Sequence, residues 1–189
     1  MVIFTLNLAS KGAFLCISIY PSRTCNISRI FGGRSGKLFG KGGWNMIHRD
    51  TVCLLRECDA GLRMGVASID DVLEHVRSDD FREALCACRS AHERLGEDIR
   101  AALGRFGDEG KAPNAMARGM AWLKTRAELA VSPTDATAAK LIRDGCEMGV
   151  SSLRRYLEQY RAADEAAKDI ALRLIGLEEE LGAAARAQR

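Results

Sequence analysis

The chain has 189 residues, nearly half of them apolar, and a formal net charge of +3. That length and composition support a single buried core. They exclude a bilayer-spanning helix, because no apolar run approaches the ~20 residues that such a helix needs.

The charge is unevenly placed. All 25 acidic residues follow Met46, whereas residues 1–45 hold six cations and no acid. Without those six cations, 22 basic residues face 25 acidic ones, so residues 46–189 carry a net charge of −3. Residues 1–45 are therefore expected to form a disordered, non-globular segment, and three readings of it stay open. An acid-free stretch containing Arg and Ser has the composition of an organellar transit peptide. A secretory signal fits worse, since no basic residue precedes Val2–Leu8 and no small-residue cleavage site follows Ala13–Tyr20. Alternatively, the codons for Lys41-Gly42-Gly43-Trp44-Asn45-Met46 form a purine-rich string that can spell a bacterial ribosome-binding site, making Met46 the start and residues 1–45 a translated upstream leader. The last reading is a genuine tail. In every case, glycines 32, 33, 36, 40, 42 and 43 give the stretch before Met46 the composition of a flexible linker.

Beyond Met46 the apolar residues recur at steps of three and four. Leu55, Cys58, Leu62, Gly65, Ile69, Val72 and Val76 make one stripe of a first helix over 50–76. A second helix over 80–106 carries Phe81, Leu85, Cys88, His92, Leu95, Ile99, Ala102 and Phe106, with Asp79 or Asp80 as its cap. Gly107-Asp108-Glu109-Gly110 ends it. Residues 107–131 are long enough to cross a bundle, and Asn114 can cap a short amphipathic helix with Met116, Met120, Trp122 and Leu123. A third helix is expected to open at Ser132-Pro133-Thr134-Asp135, with Ser132 as cap, and to bury Ile142, Cys146, Gly149, Leu153, Tyr156 and Tyr160. The fourth starts near Asp164 and buries Ala167, Ile170, Leu174, Leu177 and Leu181, with Gly182–Arg189 fraying. Four such helices imply an all-α four-helix bundle over residues 46–189. One long central crossover is the connectivity of ferritin-like bundles.

Several strings carry a family resemblance: His92-Glu93-Arg94-Leu95-Gly96, Gly119-Met120-Ala121-Trp122-Leu123-Lys124, Asp144-Gly145-Cys146-Glu147-Met148-Gly149-Val150-Ser151-Ser152-Leu153 with Tyr156-Leu157, Ala162-Ala163-Asp164, Lys168-Asp169-Ile170, Leu174-Ile175 and Leu177-Glu178-Glu179. Over residues 47–186 the chain resembles a bacterial ferritin-like four-helix-bundle family of uncharacterised function. The resemblance implies a fold and assigns no chemistry.

The residues themselves narrow the chemistry. A ferritin-like di-metal site needs Glu-x-x-His on two helices, because residues three apart share a face and can share an ion. Here Arg89 precedes His92 by three, the last helix has no His, and Glu178-Glu179-Glu180 are followed three places on by Leu181, Gly182 and Ala183. The di-metal motif is absent, which argues against an oxidase. His92 falls on the core stripe, where a neutral imidazole bonded to a carboxylate or hydroxyl across the bundle is the plain expectation. The sharper one is a single metal site with Glu57, Glu93, Glu147 or Glu178 as oxygen partner, Glu147 being best placed. His48 and His75 read as surface residues. Cys53, Cys58, Cys86, Cys88 and Cys146 raise a Cu(I)-thiolate store, but Cys86 and Cys88 stand about 200° apart on their helix and no C-x-x-C occurs. Arg154, Arg155 and Arg161 read as solvated surface rather than a nucleic-acid groove. The sequence thus leads to a cytoplasmic, non-enzymatic bundle that self-associates or binds a protein partner. A divalent-metal protein using His92 and Glu147 is the first alternative, and a copper-thiolate bundle the second.

Overall fold

The computed structural model describes residues 43–110, 129 and 131–188. These form four helices and no strand among the described residues: α1 (Gly43–Leu73), α2 (Asp79–Gly104), α3 (Asp135–Gln159) and α4 (Glu165–Ala187). The segment 1–42 and the expected crossover helix with Met116, Met120, Trp122 and Leu123 lie outside the described residues. Most of each predicted stripe is buried, while Ala102 and Phe106 beyond Ile99, Tyr156 and Tyr160 of the third stripe and Leu177 of the fourth are only half-buried. Leu55, Cys58, Leu62 and Ile69 of α1, Phe81, Leu85, His92, Leu95 and Ile99 of α2, Ile142, Cys146 and Leu153 of α3, and Ile170, Leu174 and Leu181 of α4 are all buried.

The helix ends correct the sequence reading in four places. α1 spans Gly43–Leu73, beginning earlier and ending earlier than the expected 50–76. α2 is capped by Ser78, whose Oγ accepts the Phe81 N–H at 3.4 Å. Asp79 and Asp80 instead fill the first turn, where the helix dipole favours anions. α3 is capped by Thr134 rather than Ser132: Thr134 Oγ1 accepts the Thr137 N–H at 3.2 Å, while the Ser132 carbonyl accepts the Thr134 N–H at 2.9 Å in the preceding turn. α4 starts after Asp164 as expected, with Asp164 Oδ1 accepting from Ala167 N–H at 2.8 Å. Its end does not fray at Gly182; the helix continues to Ala187 because Leu181, Gly182 and Ala185 are buried in the bundle.

Side-chain bonds to the loops fix the direction of each helix. Asp50 Oδ2 and Thr51 Oγ1, near the start of α1, accept the backbone N–H groups of Ala162 and Asp164 in the α3–α4 turn, at 3.3 and 2.9 Å. At the other end, the Asp135 carboxylate that opens α3 accepts the N–H groups of Arg77 and Ser78 in the α1–α2 turn, at 2.6 and 3.0 Å. So α1 and α4 run one way, α2 and α3 the other. The end of α2 and the start of α3 therefore lie at opposite ends of the bundle. α1 packs on α2, α2 on α4, α4 on α3 and α3 on α1, with α1 and α4 also touching across the middle.

The end of α2 is closed by a Schellman turn. Gly107 takes φ +66°, its N–H bonds the Gly104 carbonyl at 3.0 Å, and the Asp108 N–H reaches back to the Leu103 carbonyl at 3.1 Å. This delivers Asp108, itself buried, to Arg56 of α1, at 3.0 Å from Nε and 2.6 Å from Nη2. The Nε–H···Oδ1 hydrogen bond and the ion pair beside it lock the end of α2 onto α1.

The core falls into two apolar clusters. One, at the α1 N-terminal end, contains Leu54, Leu55, Leu62, Leu95, Ile99, Leu103, Leu153, Ile170 and Leu174. The other, at the opposite end, contains Ile69, Val72, Phe81, Leu85, Leu129, Ile142, Leu181 and Ala185. Phe81 has no exposed surface and anchors the second cluster where α2 starts. Phe81→Ala is expected to lower stability by about 3–5 kcal/mol through lost burial and a residual cavity. Urea unfolding followed by circular dichroism measures this, and a loss below about 1 kcal/mol would mean that the cluster repacks around the hole.

Candidate functional site

Between the two apolar clusters lies a polar layer to which every helix contributes. In α1 it is reached at Gly65, between Leu62 and Ile69; in α2 at Cys88 and His92, between Leu85 and Leu95. In α3 it is Gly149, between Cys146 and Leu153, and in α4 Glu178, between Ile175 and Leu181. Two large polar side chains thus meet two glycines. A Cβ on Gly65 would sit 3.2 Å from His92 Nε2 and 3.4 Å from Glu178 Oε1, and one on Gly149 would sit 3.3 Å from Glu178 Cδ. The glycines make the room that the imidazole and carboxylate occupy.

His92 is fully buried and all its polar capacity is used. Nδ1 lies 2.9 Å from the Cys88 carbonyl of its own helix, and since a carbonyl only accepts, Nδ1 carries a proton. Nε2 faces Glu178 Oε1 at 3.3 Å. Burial alone disfavours the imidazolium, yet the hydrogen bonds with Cys88 and Glu178 outweigh it and raise the His92 pKa to about 10. The ring is therefore a cation at neutral pH, held against the Glu178 carboxyl group. The carboxylate partner across the bundle was expected, whereas the imidazole, expected neutral, has its pKa raised to about 10 and is charged.

Two thiols flank this pair. Cys88 Sγ is 3.4 Å from His92 Nδ1 and 3.9 Å from the Leu177 carbonyl, to which its S–H donates. Cys146 donates to Glu178 on the other side, and burial first, then the carboxylate charge, push its pKa well above the ordinary thiol range. Outside Glu178, α3 and α4 enclose a groove of about 450 Å³ lined by Cys146, Glu147, Arg154, Glu178, Glu179 and Arg186. Arg154 Nη2 and Glu179 Oε1 bridge α3 and α4 at 2.7 Å beside it.

The sequence-derived sites can now be placed. His92 stands in the layer, but the carboxylate it meets is Glu178. Glu147 is exposed on the groove wall, and Glu93 is on the surface of α2, ion-paired with Arg89 at 3.0 Å. His48 is exposed and lies edge-on to Phe106 at 5.4 Å between ring centres. Cys53, Cys58 and Cys146 are buried, Cys88 is half-buried and Cys86 is exposed. Among the described residues, no group of three or more His, Cys, Asp or Glu side chains could hold a metal ion. The side chains present do not fit a di-metal centre: His92 has no lone pair left to give, and the carboxylate opposite it is engaged. Glu178 was among the four carboxylates weighed as partners of His92, although Glu147 was preferred to it, and the close approach of Cys88 is the part of the layer that the sequence reading missed. The signal for Glu178 was present, four residues after Leu174 and three before Leu181.

No family model, curated protein or solved structure matches the chain. Among the described residues, no helix is long and apolar enough to cross a membrane.

Proposed function

We propose that this chain is a ferritin-like helical bundle without a di-metal site, acting by self-association or by binding a protein partner rather than by catalysing a reaction. The observation that carries this reading is the saturation of His92. A catalytic or metal-binding imidazole needs a nitrogen that faces substrate, water or an ion, and both nitrogens here face acceptors inside the bundle. The central polar layer is built to hold itself together. The directions of the helices support the ferritin-like part: α1 and α4 run one way, α2 and α3 the other. Function then falls to the outside, where Met148 of α3 and Leu172 of α4 are more than half exposed. The absence of any disulfide among the five described cysteines fits action in a reducing cytoplasm.

The test joins two measurements on the full chain. Sedimentation equilibrium over a range of concentrations is expected to show a reversible dimer or higher species. Elemental mass spectrometry after exposure to iron, zinc, manganese and Cu(I) is expected to find no stoichiometric metal. A strict monomer carrying one metal per chain, lost in His92→Ala, would replace this reading with metal handling at the polar layer.

A further inference from the structure

We propose that Cys88 is the reactive thiol of this protein, a site of oxidation by small hydroperoxides whose thiolate is steadied by the His92 imidazolium that Glu178 holds in place. The motivating geometry is the series Cys88 Sγ, His92 and Glu178, with contacts of 3.4 and 3.3 Å across one ring. A thiol beside an imidazole that is itself oriented by a carboxylate is the arrangement that favours thiolate.

The direction of each proton follows from the acceptors. His92 Nδ1–H points at the Cys88 carbonyl at 2.9 Å and at Cys88 Sγ at 3.4 Å, so one N–H is shared between them. His92 acts as a hydrogen-bond donor and a neighbouring positive charge, not as a base. The groups facing the sulfur are few. α2 supplies His92, and α4 supplies the Leu177 carbonyl and, behind the ring, Glu178. α3 supplies Cys146, whose thiol is bonded to Glu178. α1 brings Gly65 against the far side of the His92 ring.

Among the described residues, the other four cysteines are worse placed. Cys53, Cys58 and Cys146 are buried. Burial, helped by Glu57 and Asp59, raises Cys58 to about 12, which keeps it a thiol. Cys86 is the most exposed of the five, but it stands about 200° around α2 from Cys88, facing away from the imidazole. Among the described cysteines, Cys88 alone combines partial exposure with an imidazole at hydrogen-bond distance.

The chemistry balances with a hydroperoxide as the oxidant. The Cys88 proton leaves to water. The thiolate sulfur attacks the outer peroxide oxygen, an S–O bond forms and the O–O bond breaks. Sulfur gives up two electrons and becomes a sulfenic acid. The departing hydroxide or alkoxide takes a proton from solvent and leaves as water or alcohol, while His92 keeps both of its protons.

The experiment treats the full chain with hydrogen peroxide at mildly acidic pH, traps sulfenic acid with dimedone, and quantifies the adduct at each cysteine by peptide mass spectrometry. Cys88 is expected to react about tenfold or more faster than Cys86 despite its lower exposure, because its sulfur lies at 3.4 Å from the His92 ring nitrogen and that of Cys86 faces away. His92→Gln, which keeps a donor but no charge, is expected to bring Cys88 down to the rate of Cys86 or below. Cys88 reacting no faster than Cys86 in the unaltered protein overturns the proposal, and that comparison needs no variant to fold.

Discussion

Glu178→Ala is expected to destabilise the bundle by about 3–5 kcal/mol, the penalty for leaving a buried charge without its partner. His92 is fully buried, and its Nε2–H would face a hole left by the carboxylate with no acceptor in reach. The helix itself tolerates alanine, so the loss comes from the core. The double change His92→Leu with Glu178→Met is expected to recover most of that loss. A buried ion pair exchanged for apolar side chains of similar volume is often neutral or stabilising. Urea unfolding of the three proteins measures both effects. A single variant that loses less than about 1 kcal/mol would show that water enters the layer and solvates the imidazolium.

Alkaline pH is expected to weaken the fold well before the ordinary cysteine range. The His92 pKa is raised from 6.5 to about 10, so the folded state binds the proton more tightly than the unfolded chain does. The stability this confers is fully present below pH 6.5 and is lost as pH rises through 10. Cys58, raised from 9.0 to about 12 by burial and the nearby Glu57 and Asp59, acts in the same sense over a higher window. Its contribution is intact below pH 9 and declines from there. Cys146 is shifted in the same direction. The urea midpoint should therefore fall continuously between pH 6.5 and 10. In the His92→Leu, Glu178→Met protein it should stay level until about pH 9, where the thiols begin to titrate. A midpoint that does not change up to pH 9 in the unaltered chain would mean that His92 is neutral in the fold.

The helices were legible because each has one buried face, and a face is a local property. The stripes through Leu55–Val76, Phe81–Ile99, Ile142–Leu153 and Ile170–Leu181 needed only the spacing of three and four. The site was legible in half. His92 between Cys88 and Leu95 announced a buried imidazole, and Gly65 and Gly149 stood on the stripes of α1 and α3. What one helix cannot show is which residue of another stands at its level. After Leu174, steps of three and four reach Leu177 and Glu178 with equal right, and hydrophobicity favoured Leu177; the structure buries Glu178 and leaves Leu177 half-buried. Glu147 has the matching ambiguity beside Cys146, and there the glutamate turns outward. The caps were shifted for a related reason. Asp135 is held by the α1–α2 turn, a contact more than fifty residues away in sequence, so α3 starts where that bond places it.

Aliphatic stripes are poor at measuring distance along a bundle. A helix displaced by one turn, about 5.4 Å, still sets leucine against leucine, and oil-like contacts barely register the change. Glu178 and His92 do register it. A slide of α4 by one turn along α2 would bring Leu95 or Cys88 to the carboxylate and strand two opposite charges in hydrocarbon. Gly65 and Gly149, cut to receive those side chains, would face nothing. The layer therefore acts as a detent against shear: the two apolar halves supply adhesion, and the ion pair sets the single position in which the four rods come to rest.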